Sequence, residues 1–148
     1  MPEKLDHRGY LLAPLVPPTL NILFVPVWSV LSGHSGLAFS AMVWQVVAWF
    51  GLEAICLASI YPILWLFHRR ILSLPINPSL AVALSITFSA GSSFALFGPI
   101  QWQGHVAISW AFAAIASVFA FSAFHSMQKH RRNNLAKQNA ITSTHTPP

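Results

Sequence analysis

The sequence predicts an all-α, polytopic membrane protein: four transmembrane helices in a bundle, the first of them kinked by proline. Three observations carry that expectation. Hydrophobic residues make up 55% of the 148-residue chain and charged ones 7%. A soluble domain carries about 25% charged residues, so this chain is too poor in charge to clothe its surface in water. The apolar residues come in blocks near 20 long, and about 20 helical residues at ~1.5 Å each cross the hydrocarbon of a bilayer. Finally, all eight Lys and Arg fall on one side of a chain that crosses four times.

The first block, 11–31, contains Pro14, Pro17, Pro18 and Pro26. Proline inside a helix removes a hydrogen bond and clashes with the preceding turn, so this span is expected to be kinked or locally broken. Broken backbone is tolerated at membrane depth only where protein or water covers it, which turns this helix toward its neighbours. A cleaved leader ending near Ala38-Phe39-Ser40 is the competing account. The block is too long and too rich in proline for that, and Glu3 and Asp6 precede it. The second block, 42–67, is long enough to span with some tilt. The third covers 79–98 and the fourth 105–124. Together they make a transmembrane domain over 1–127. A polar tail follows over 128–148, expected to be disordered beyond a short juxtamembrane helix.

Lys4 and Arg8 precede the first block, Arg69 and Arg70 separate the second and third, and Lys129, Arg131, Arg132 and Lys137 follow the fourth. By the positive-inside rule this places both termini in the cytoplasm, in an inner membrane of bacterial type. Trp28, Trp44 and Trp102 would then mark the outer boundary, and Tyr10 and Trp65 the inner one. The formal charge of +5 is accounted for by this orientation, because no basic domain stands apart to engage nucleic acid. Cys56, the single cysteine, can form no disulfide within the chain and reads as a small buried hydrophobe.

Polar residues converge at mid-depth. Glu53 lies near the centre of the second block and Asn21 at the centre of the first. In the third, Ser85, Ser89 and Ser92 recur on one helical face, and Ser117 lies about a turn from the centre of the fourth. A charged carboxylate facing lipid costs at least about 2.5–3.5 kcal/mol, so Glu53 is expected to point inward toward these groups. Two functions follow. In the first, the layer is the substrate- and proton-binding site of a small proton- or cation-linked carrier or permeation unit. In the second, it is interhelical glue in a non-catalytic accessory, immunity or assembly subunit that packs against a larger membrane protein.

Helix packing is legible as well. Ala113, Ala116, Ser117, Ala120 and Ala123 form a small face of the fourth block, opposite the bulky Ile108, Phe112, Ile115 and Phe119. Gly91, Ala95 and Gly98 do the same in the third. Such faces allow close approach within a bundle or between copies in a homo-oligomer. The expected partners are thus the lipid bilayer, further copies, or a larger membrane protein.

His68 and His125, at the inner ends of two blocks, are weak candidates for haem ligation. His34 and His105 are weaker ones for an outer metal. No cofactor is expected. The chain has no nucleophile elbow, no phosphate loop and no His-plus-acid pair at helical spacing, so enzyme chemistry is not expected.

Two family likenesses are slight. The Pro-Pro, Pro26-Val27-Trp28 and Trp44 pattern over about 28 residues resembles the tryptophan-rich sensory proteins. The later blocks lack that family's tryptophans, and the chain is one span short of its five-helix bundle. The small multidrug-resistance carriers also combine four helices with one membrane glutamate. Theirs lies in the first helix, and here the first block holds no acid.

Overall fold

A computed structural model describes residues 7–31, 39–97 and 105–144. All regular structure among them is helical: α1 His7–Leu12, a 3-10 turn Ala13–Leu15, α2 Val16–Leu31, α3 Phe39–Leu72, α4 Pro78–Phe97 and α5 His105–Thr144.

The break foreseen in the first block falls at Ala13–Leu15. Pro14 cannot donate its backbone nitrogen to the turn before it, so the α-helix tightens there into a 3-10 turn. Pro17 and Pro18 then occupy the first turn of α2, where a missing N–H costs nothing because that group has no intrahelical partner. The α2 helix continues through Pro26 to Leu31. Pro14 and Pro17 are buried, so the irregular backbone is covered by protein.

The α3 helix is 34 residues long and carries Pro62 inside it. Arg69 and Arg70 stand in its last turn, where cations offset the partial negative charge of the helix end. Ser73 donates through both its amide and its hydroxyl to the Arg70 carbonyl. The turn that follows contains Pro75. Asn77 then starts α4: its Oδ1 accepts the Ser79 amide at 3.0 Å, an N-cap bond, and Pro78 fills the first helical position.

The α4 and α5 helices form an antiparallel hairpin with the most extensive interface among the described residues, and α2 packs on α4. The α3 helix is more peripheral. It meets α5 and the α1 segment through Ile60, Leu64 and Ile71, which join Tyr10, Ala13, Ala120 and Phe121 in one buried cluster. Trp44, Val47, Gly51, Ile55 and Ala58 are all exposed, and their spacing places them on one stripe of α3. At 100° per residue, the opposite stripe holds Ile60, Leu64, Ile71 and position 53.

Two helices among the described residues, α4 and α5, contain a stretch long and apolar enough to cross a membrane, within Pro78–Ala95 and Val106–Ile141. Only 28% of the first is buried in the protein, unlike the core helix of a soluble fold. Its outer side presents Leu80, Val82, Ile86 and Phe94. Seven serines among the described residues are buried meanwhile. Apolar side chains thus face outward on α4 while hydroxyls are buried behind them.

The helix ends depart from expectation in one place. The fourth block was expected to end near 124, with disorder beyond a short extension. Instead α5 continues unbroken to Thr144, and every residue over 129–141 is exposed. Ala136, Leu135, Lys137, Gln138 and Ala140 are good helix formers, and no Gly or Pro interrupts 105–144.

Candidate functional site: the serine seam

The α4–α5 interface is built from small residues, and its hydroxyls are turned inward. Ser85 Oγ donates to the Ala116 carbonyl at 3.0 Å. Seven residues further along α4, Ser92 meets Ser109, seven residues back along α5. There the two hydroxyls lie 2.8 Å apart. Ser92 Oγ also reaches the Ser109 carbonyl at 3.0 Å, and Ser109 Oγ the Ser92 carbonyl at 3.1 Å. Two helices that trade hydroxyls for each other's carbonyls must lie close, and Ala113, Ala116 and Ala120, all buried, permit it.

The other predicted serines behave differently. Ser117 is fully buried, but its hydroxyl donates to Ala113 of its own helix at 2.8 Å. Ser89 is 0% exposed, and its Oγ has no hydrogen-bond partner. A buried hydroxyl without a partner costs roughly 1–3 kcal/mol, so Ser89 is the seam's one unsettled polar group among the described residues. The bulky side of α5 closes the seam. Phe112 and Phe119 pack on Phe88, with ring centroids 5.8 and 5.9 Å apart. Gly91 leaves room for Phe112, since an added Cβ would stand 3.3 Å from its ring.

Asn21 and Glu53 sit in helical backbone, but their side chains lie outside the described residues, as does that of Cys56. Helical register still places position 53 along the bundle. The α3 and α5 helices run parallel, and Trp110 Nε1 donates to Ser59 Oγ at 3.0 Å. Position 53 is six residues, about 9 Å of rise, before Ser59. It therefore stands nearer the Ser92–Ser109 end of the seam than the level of Ser89.

At the opposite end, Tyr10 stacks on Phe121 at 4.6 Å and meets Tyr61 and His68 edge-on at 6.3 and 6.0 Å. Its hydroxyl is buried without a partner among the described residues. Burial, with Tyr61 beside it, pushes the Tyr10 phenol up to about 12. His68 donates Nδ1–H to the Trp65 carbonyl at 2.7 Å, since a carbonyl can only accept. His68 and His125 are both half-buried. Among the described residues, no three His, Cys, Asp or Glu gather closely enough to hold a metal. His34 and the side chain of His105 lie outside the described residues.

Sequence reasoning missed Ser109, although the signal was present. It precedes Ala113 by four residues and so continues the small face of the fourth block. It was passed over because it lies away from mid-span. The Trp110–Ser59 bond left no trace in the sequence, because only the α3–α5 register pairs those residues.

Comparison with known proteins identifies no relative: no family model, curated protein or solved structure matches the chain.

Proposed function

We propose that the chain is a four-span integral membrane protein, and that it serves as a non-catalytic assembly or accessory subunit of a larger membrane protein. Lipid accounts for the apolar residues exposed on every helix, and for the burial of the serines. On this reading α2 and α3 join the two stretches already long and apolar enough to span, and both chain ends lie in the cytoplasm, beside the basic residues. The observation that carries the functional part is the Ser92–Ser109 exchange. A substrate-binding layer needs hydroxyls free to exchange partners, whereas these are committed across the interface, each bond contributing roughly 0.6–2 kcal/mol. The exposed stripe of α3 through Gly51 and Ala58 offers a partner helix close approach.

A second reading, a small proton- or cation-linked carrier, has specific support of its own. Position 53 lies on the stripe of α3 that carries Ile60, Leu64 and Ile71 into the core, and Ser89 holds an unpartnered hydroxyl. Glu53→Gln separates the two. In the assembly subunit, the variant keeps the wild-type melting temperature, and proteoliposomes of either protein pass no protons down an imposed gradient. Proton flux in the wild-type vesicles that Glu53→Gln abolishes would overturn the assembly reading in favour of the carrier.

A further inference from the structure

We infer that the basic end of the bundle is a binding surface for anionic phospholipid headgroups. The stacking of Tyr10 on Phe121 and its edge contact with His68 bring three elements together at this end. Arg8 is two residues before Tyr10, and Arg69 and Arg70 follow His68 directly. Lys129, Arg131 and Arg132 continue α5 beyond Phe121. All six cations are exposed. The acidic side chains of the sequence are Glu3, Asp6 and Glu53, so none follows position 53. The five cations on α3 and α5 therefore have no acidic side chain between Arg69 and the end of α5 to neutralise them, and Glu53 lies sixteen residues, about 24 Å of rise, before Arg69.

Their level matches a headgroup layer. The apolar run of α5 ends at Phe124, and positions 129–132 lie about 7–12 Å further along the helix. That is within side-chain reach of a polar layer roughly 5–8 Å deep on each side of the hydrocarbon. Guanidinium groups suit phosphate, since their planar donors engage its oxygens in pairs. Clusters of four to eight such residues beside a span bind acidic lipid through surface charge. An acidic protein or a nucleic acid would also answer to charge, but neither accounts for the cations on α1 and α3, which lie at the lipid boundary while only α5 projects past it.

The inference rests on the membrane reading above, and the experiment separates the two. The full chain is reconstituted in nanodiscs of phosphatidylcholine, with and without phosphatidylglycerol, and followed by its melting temperature and by native mass spectrometry of retained lipid. Phosphatidylglycerol should raise the melting temperature and be retained preferentially, with both effects falling as salt rises. The variant Arg69→Gln/Arg70→Gln/Arg131→Gln/Arg132→Gln should weaken phosphatidylglycerol binding about tenfold or more while melting as wild type in phosphatidylcholine. The smaller exchange Lys129→Gln/Arg132→Gln, confined to the exposed extension, gives the same direction if the fourfold variant fails to fold. Equal retention of the two lipids overturns the inference. So does full protection by inorganic phosphate alone, or displacement of phosphatidylglycerol by RNA. Failure to enter neutral nanodiscs at all would sink the membrane reading instead.

Discussion

Ser92 and Ser109 exchange hydroxyls and carbonyls across two helices, which makes them a coupled unit. Ser92→Ala and Ser109→Ala should each destabilise the bundle by about 1 kcal/mol. The double variant should cost less than the two together, because the second loss removes a bond already broken. Unfolding titrations in mixed micelles read that coupling, and strict additivity would refute it. Two glycines of the longer helices make a sharper contrast. Gly91→Ala brings a methyl group to 3.3 Å from the Phe112 ring, which must shift by a few tenths of an ångström, so this exchange should be less favourable than Gly51→Ala. Gly51→Ala meets nothing within 4 Å, and should be neutral or gain up to about 1 kcal/mol of helix propensity. Tyr10 gives a pH signature. Below pH 10 its phenol is neutral whether folded or not. As pH rises from 10 toward 12, the unfolded chain releases the proton first, so stability falls over that window. Tyr10→Phe should remove this alkaline component and, having no orphaned hydroxyl, lose nothing at neutral pH; chemical denaturation at pH 7 and pH 11 provides the check.

At the scale of the element, what could be read in advance depended on whether local chemistry decided the matter. The 3-10 break at Ala13–Leu15 was legible because Pro14 lacks a donor whatever surrounds it. The end of α3 and the start of α4 follow from Pro75, Asn77 and Pro78 in the same way. The seam was half legible: serine period placed Ser85 and Ser92 on one face, but nothing local distinguishes a serine that bonds across, such as Ser92, from Ser117, which bonds within its helix. The extension of α5 was not legible, because its propensity is mixed: Leu135, Ala136, Lys137, Gln138 and Ala140 favour helix, while Asn133, Asn134, Asn139 and Thr142 do not. Truncation after Gln128 should therefore remove helical circular dichroism in proportion to the residues lost, yet leave the melting transition of the bundle in place. Loss of that transition would mean the extension props up the spans.

At the scale of the whole molecule, one end is defined by aromatic and basic residues and the other by the Ser92–Ser109 pair. Because Tyr10 and Phe121 are stacked, Arg8 and the α5 extension leave the bundle from the same end. With Cys56 replaced by serine, cysteines at Arg8 and Asn134 should react with a membrane-impermeant maleimide from the same face of sealed vesicles. Labelling from opposite faces would dissolve the four-span arrangement. The continuity of α5 also has a mechanical consequence. No joint separates its apolar half from its exposed half, so on the membrane reading proposed above the helix is a lever with its fulcrum where the apolar half ends. At ~1.5 Å per residue, a tilt of about 10° in the apolar half sweeps the far end of the extension sideways by roughly 5 Å, enough to make or break contact with whatever stands beside it.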